Sequence, residues 1–134
     1  MSAVYLMGKV DVKGAFVQTP MVGTDVYMRI RKKIVAYLLI MYRHFAEYAQ
    51  PDGSILTKLL KAMYGCVQAE KLWYDLLIKV LQSRGYVPSE TDPCVMRRKE
   101  KGMIFIILIY VDDLLIFASK AEMEGLRKLL VKSF

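Results

Sequence analysis

Met103-Ile104-Phe105-Ile106-Ile107-Leu108-Ile109-Tyr110-Val111-Asp112-Asp113-Leu114-Leu115-Ile116-Phe117-Ala118 decides the fold. Two apolar runs rich in β-branched and aromatic residues flank a pair of aspartates. Each run has the length and composition of a buried strand, and the pair falls where the chain must turn back. Asn-Gly or Asp-Gly would close such a hairpin without crowding two negative charges. Adjacent carboxylates repel unless a cation neutralises them. A hard divalent ion such as Mg²⁺ takes such oxygen ligands, with waters and substrate phosphates completing its shell. The bland alternative is a polar loop between strands.

Upstream, Asp11 lies in Lys9-Val10-Asp11-Val12-Lys13-Gly14-Ala15-Phe16, at the end of a stretch of strand character over Val4–Val12. If the two strands are neighbours, Asp11 and the aspartate pair converge. That is the layout of a phosphoryl-transfer site in which carboxylates bridge two ions roughly 3.5–4 Å apart. Consecutive residues of an extended chain face opposite ways, so only the turn can bring Asp113 to the side of Asp112.

The rest of the chain reads as mixed α and β. A helical turn is expected near Gly14–Gln18, a loop around Pro20–Asp25 and a short strand over Val26–Ile30. Ile34–Tyr48 reads as a helix by its length and Pro51-Asp52-Gly53 as a turn, with a strand over Ile55–Leu60. Gln68–Arg84 has the clearest helical spacing, ended by Gly85, and its aromatic stripe reads as core packing. Val95–Arg98 and Met103–Val111 form a hairpin about Lys101-Gly102, and Leu114–Ala118 pairs next. Ser119 caps a last helix from Lys120, with Glu122 and Glu124 in its first turn. That helix reaches Phe134 without a stop signal, so the sequence reads as cut from a longer chain. The fold class expected is α+β, an antiparallel sheet with helices packed on one face.

At 134 residues the chain can bury a core as one domain. Its hydrophobic share of 55% and mean hydropathy of +0.28 point to apolar surface that neighbours normally cover. No run reaches the ~18–20 uncharged apolar residues of a membrane span, because Asp112-Asp113 interrupts the longest, and no membrane partner is expected. Cys66 and Cys94 lack metal-binding spacing and read as two reduced, buried thiols. His44 stands alone and reads as a partly exposed helix position. The net charge of +7 points to a polyanion partner. Its cations gather at Arg29-Ile30-Arg31-Lys32-Lys33 and Arg97-Arg98-Lys99-Glu100-Lys101, each either a phosphate-contacting patch or a solvated surface.

Six blocks carry a resemblance. Tyr110-Val111-Asp112-Asp113 resembles the Tyr-x-Asp-Asp signature of reverse transcriptases, and Asp11-Val12-Lys13-Gly14-Ala15-Phe16 the Asp-Val-Lys-x-Ala-Phe segment of copia-type (Ty1-like) retrotransposon polymerases. Val26-Tyr27-Met28, Lys58–Gly65 with Gln68-Ala69, and Leu72-Trp73-Tyr74 follow in family order, as does Thr91-Asp92-Pro93-Cys94-Val95. The chain departs from the family at Cys66–Lys71, where Val67 and Lys71 stand in place of a lysine and an arginine, and at Arg29–Lys33, where the family is more acidic.

The resemblance implies the palm of a right-handed polymerase over residues 1–134, lacking fingers and thumb, and RNA-directed DNA synthesis on an RNA or DNA template with a primer and deoxynucleoside triphosphates. It implies catalytic Asp11, Asp112 and Asp113 holding two Mg²⁺ (or Mn²⁺) with the Val12 carbonyl. Gln68 would contact template or nucleotide, and Tyr110 would lie beside the primer end. Phe16 would sit beneath the incoming sugar, or else be a core residue. The remaining polymerase, RNase H and integrase parts of a parent polyprotein would be partners, in a cytoplasmic virus-like particle or the nucleus. Two alternatives stand beside it: a decayed or domesticated transposon remnant, and a non-catalytic nucleic-acid-binding α+β domain.

Overall fold

The alternation that a half-buried strand needs is present in both apolar runs. Phe105, Ile107 and Ile109, then Leu114, Ile116 and Ala118, are buried, while Ile104, Leu108 and Tyr110 stay exposed. The computed structural model describes residues 4–134. In chain order its elements are β1 (Leu6–Asp11), α1 (Ala15–Gln18), β2 (Tyr27–Ile30), α2 (Lys32–Met41) and a 3₁₀ turn over Arg43–Tyr48. There follow β3 (Ile55–Lys58), α3 (Val67–Gln82), β4 (Val87–Pro88), β5 (Val95–Glu100), β6 (Met103–Tyr110), β7 (Asp113–Ala118) and α4 (Lys120–Ser133).

The class is α+β, as expected. Five antiparallel strands run in the order β1-β7-β6-β5-β4, and β2 pairs with β3 in a separate two-stranded sheet. One face of the larger sheet joins α3 and α4 in a single core that includes Trp73, Leu77, Leu81, Phe105, Ile107, Leu114, Ile116, Leu126 and Leu130. The aromatic stripe of α3 is therefore core: Trp73 is 1% exposed. Gly85 ends this helix at φ 89°, a conformation glycine adopts without a Cβ clash. The Tyr86 N–H donates to the Leu81 carbonyl and the Gly85 N–H to the Gln82 carbonyl, which satisfies the last turn.

Several expectations are corrected. The helix expected over Ile34–Tyr48 breaks at Tyr42, whose φ of −137° and ψ of 79° lie outside the α region. Beyond it the chain winds as the tighter 3₁₀ form, with the rings of His44 and Phe45 4.3 Å apart and His44 exposed. On α2 only Val35 is buried, and Ile34, Tyr37, Ile40 and Met41 are exposed. The two-residue β4, too short to leave a periodic signal, was not expected. Cys94 is exposed and Cys66 half-buried, so neither thiol is a core residue, and both are free. Among the described residues no helix is long and apolar enough to cross a membrane.

Ser119 caps α4, its hydroxyl accepting from the Glu122 N–H at 3.3 Å. Glu122 lies in the first turn as expected, and it is 4% exposed. Its carboxylate accepts from Arg84 Nε (2.9 Å) and Nη2 (2.8 Å), the Tyr86 hydroxyl (3.0 Å) and Arg98 Nη1 (2.9 Å). Burial alone would raise its pKa, but hydrogen bonds from Arg84 and Tyr86 and both guanidinium charges bring it below the ordinary value. Arg98 is thereby drawn out of the basic cluster at Arg97–Lys101 and tied into the fold.

Candidate active site

The turn between β6 and β7 carries the site. Tyr110 pairs with Asp113, leaving Val111 and Asp112 as a two-residue loop. Val111 has φ 55°, in the left-handed region. A positive φ at the first loop position is a place for glycine, and a β-branched residue there is a genuine outlier. Such strain costs on the order of 1–3 kcal/mol and persists only where surroundings enforce it. The enforcing contacts are visible. Trp73 of α3 donates its indole N–H to the Val111 carbonyl at 2.7 Å, and the Val12 N–H donates to the Asp112 carbonyl at 3.0 Å. By comparison, the other tight hairpin has positive φ at both Lys101 (47°) and Gly102 (81°), the pattern suited to a two-residue turn.

The strand pairing supplies the link that the sequence lacks. β1 lies antiparallel to β7 with Asp11 opposite Asp113. Asp11, Val12, Asp112, Asp113 and Tyr110 are thus brought to one end of the sheet. Their donors are all oxygens, which suits a hard cation such as Mg²⁺ in chemistry. The carboxylates do not close into one shell: among the described residues no three His, Cys, Asp or Glu side chains are grouped to hold a metal ion.

Asp113 is engaged elsewhere, since Lys9 Nζ stands 3.1 Å from its Oδ1. Both residues line a hollow of about 500 Å³ on the face of the sheet opposite the helices, with Leu108, Leu115, Val95 and Tyr110. Asp11 and Val12 line a second hollow, of about 350 Å³, with Lys13, Gln18 and Phe134.

The other expected residues stand on other elements. Tyr110 is 79% exposed at the sheet's end, and Gln68 is exposed on the first turn of α3, a different element from the strands that carry the aspartates. Phe16 on α1 is 8% exposed within the core, its ring edge-on to Tyr64 at 5.3 Å. Tyr64, in the loop before α3, is the outer ring of that pair at 81% exposed. Sequence reasoning missed Lys9, Trp73 and Tyr64 as parts of this region. A lysine two residues before Asp11 was the one available signal for Lys9, since alternate strand residues share a face.

A family model described as Reverse transcriptase (RNA-dependent DNA polymerase) matches residues 2–134. The Retrovirus-related Pol polyprotein from transposon TNT 1-94 of Nicotiana tabacum is 35% identical over 94 residues, covering 63% of this chain and 7% of the relative. That from transposon RE1 of Arabidopsis thaliana is 32% identical over 115 residues, 81% of this chain and 6% of the relative. That from transposon RE2 of the same plant is 36% identical over 72 residues, 54% of this chain and 5% of the relative. The chain spans less than a tenth of the length of these curated relatives. No solved structure matches it. A match running from residue 2 to residue 134, through the strained turn and the strand set against it, establishes that the chain belongs to the reverse transcriptase (RNA-dependent DNA polymerase) family, among the copia-type transposon sequences.

Proposed function

We propose that the chain is the palm-type, carboxylate-bearing part of an RNA-directed DNA polymerase that extends a primer with deoxynucleotides. The observation that carries this reading is the strained turn at Val111, held by Trp73 and Val12, which presents Asp112-Asp113 opposite Asp11. Strain of this kind clusters where a fold must hold a reacting group in place.

In the proposed reaction a primer 3′-hydroxyl attacks the α-phosphate of a deoxynucleoside triphosphate, and pyrophosphate leaves. Asp11, Asp112 and the Val12 carbonyl are the oxygen donors for Mg²⁺, with Mn²⁺ as a substitute. When bound, such ions stabilise charge on the attacking and leaving oxygens. Tyr110, on the exposed end of the sheet, flanks the primer end, and Gln68 reaches template or nucleotide. The burial of Phe16 beneath Tyr64 favours a packing role for it, with any contact to the sugar made through that pair. The rest of the polyprotein supplies the nucleic-acid grip, including RNase H and integrase activities, in a cytoplasmic particle or the nucleus.

Primer extension by the complete polymerase tests the reading. Asp112→Asn preserves size and hydrogen bonding but cannot neutralise a cation, so extension falls to background while circular dichroism is unchanged. Full-rate extension by Asp112→Asn ends the proposal. One observation favours a remnant that no longer polymerises: Val67, where the family has a lysine, is 90% exposed at the start of α3 and offers no charge to a phosphate. Absence of extension by the unaltered complete polymerase decides for that second reading.

A further inference from the structure

We propose that the outward side of α2, centred on Tyr37 and Ile40, is a docking surface for an apolar, acid-rimmed protein face carried by the polymerase polypeptide outside residues 1–134. The proposal concerns assembly alone and does not depend on how the carboxylates act.

Between Ile34 and Met41 the only polar side-chain group is the Tyr37 hydroxyl. A helix that is apolar on every side belongs in an interior, covered all round. Here only the inner side is covered. Val35 is buried, and Leu38 and Leu39 are half-buried. Ile34, Tyr37, Ile40 and Met41 face outward, with Tyr37 72% and Ile40 77% exposed. Helical spacing of three and four residues sets these side chains next to one another. The exposed Tyr42 and Tyr48 extend the patch through the 3₁₀ turn, their rings 6.0 and 6.3 Å from that of Phe45. Tyrosine, methionine and arginine are residues that protein interfaces gather, around a centre depleted of charge.

The rim selects the partner. From residue 26 to residue 46 the chain holds five cations, Arg29, Arg31, Lys32, Lys33 and Arg43, and no acid. Arg29 is paired with Asp52 at 3.4 Å. Lys33 at one end of the outward face and Arg43 just beyond the other are exposed. A second copy laid antiparallel on this face would set Lys33 against Arg43, and a parallel one would set each cation against its twin. Like charges meet in either orientation, which opposes self-association. Carboxylates around an apolar centre match both ends. Such a partner can lie on the same polypeptide, since this chain spans less than a tenth of the length of its curated relatives.

Hydrogen exchange at amides 36–42, compared between residues 1–134 alone and the complete polymerase, tests the docking without requiring catalysis. Docking is expected to slow exchange there about tenfold or more relative to the change in α3. Ile40→Lys in the complete polymerase returns amides 36–42 to their rate in residues 1–134. The same substitution leaves residues 1–134 unaffected, because the side chain there faces water; Tyr37→Ser replaces it should lysine perturb the helix. Lys33→Glu combined with Arg43→Glu weakens the protection about threefold or more, and Lys33→Arg with Arg43→Lys keeps it. Equal exchange in the two proteins, or protection that survives the double charge reversal, overturns the proposal. So does a dimer of residues 1–134 in sedimentation equilibrium that Ile40→Lys dissolves, which assigns the face to a second copy. Co-sedimentation of residues 1–134 with phosphatidylserine vesicles, lost in Ile40→Lys, overturns it in favour of a lipid surface.

Discussion

Replacing Glu122 by glutamine removes one charge from the most heavily bonded side chain of the core. The carboxylate is 4% exposed and faces four donors, from Arg84 (two), Tyr86 and Arg98. A glutamine keeps one oxygen and turns an amide N–H₂ toward a guanidinium, so at least one donor pair is lost and two cations face each other unscreened. Breaking a buried ion pair costs about 3–5 kcal/mol. Arg84 and Arg98 side chains are 30% and 20% exposed, so water recovers part of that. The expected loss is about 2–3 kcal/mol. For a domain of this size it corresponds to a fall in Tm of about 8–12 °C.

Thermal unfolding by circular dichroism at pH 7 measures it, and a series at lower pH gives an independent check. The Glu122 pKa lies below its ordinary value of 4.5 because the hydrogen bonds and charges around it outweigh burial. For a lowered pKa, the stabilisation is complete above the unfolded value and is lost as pH falls through the folded one. The unaltered chain therefore gives up below pH 4.5 what Glu122→Gln lacks at every pH, and the gap between the two narrows there. A Tm within about 2 °C of the unaltered chain at pH 7, or a gap that stays constant into acid, refutes the reasoning.

Gly125 on α4 tests the same network from another side. An added Cβ there would collide with the Arg84 guanidinium, so Gly125→Ala, normally helix-stabilising by about 0.5–1 kcal/mol, is expected to lower the urea midpoint. Trp73→Phe keeps an aromatic ring in the core but leaves the Val111 carbonyl without its indole donor. A loss of about 1–3 kcal/mol is expected in urea unfolding, with a larger loss of primer extension in the complete polymerase. Burial first, and then the neighbouring Glu122 charge, raise the Tyr86 pKa above its ordinary 10.0. Stability is therefore complete below pH 10 and declines as pH climbs past it, and Tyr86→Phe should remove that alkaline decline.

Much of the sheet was legible because its signal is local. Met103–Tyr110 and Asp113–Ala118 carry composition and alternation within single segments, and Val67–Gln82 carries a helical stripe that ends at a glycine. The aspartates were legible for the same reason, as an unusual pair in an unusual place. Contacts between distant segments were not. Arg84 and Glu122 are 38 positions apart, and Glu122 in a first helical turn looks like an ordinary partner for the helix dipole. Lys9 looks like any outward strand lysine until β1 is set against β7. The helix over Ile34–Tyr48 failed because aromatic and aliphatic residues on several faces suit both a buried α-helix and a shorter α2 followed by a 3₁₀ turn.

Val111 is the position where sequence rules fail most informatively. Strand propensity places a valine well inside a β-run, and turn chemistry places glycine at a positive φ. The chain obeys the first rule and breaks the second, with the strain offset by a tryptophan anchored in the core and by the backbone next to Asp11. A glycine would remove the strain and also free the turn to move, so the aspartate pair would no longer be held by packing. Local rules are expected to yield where a fold must fix a reacting group. The strained residue, its indole donor and the opposed Asp11 therefore belong to one device: α3 holds the turn, the turn holds the carboxylates, and β1 supplies the third.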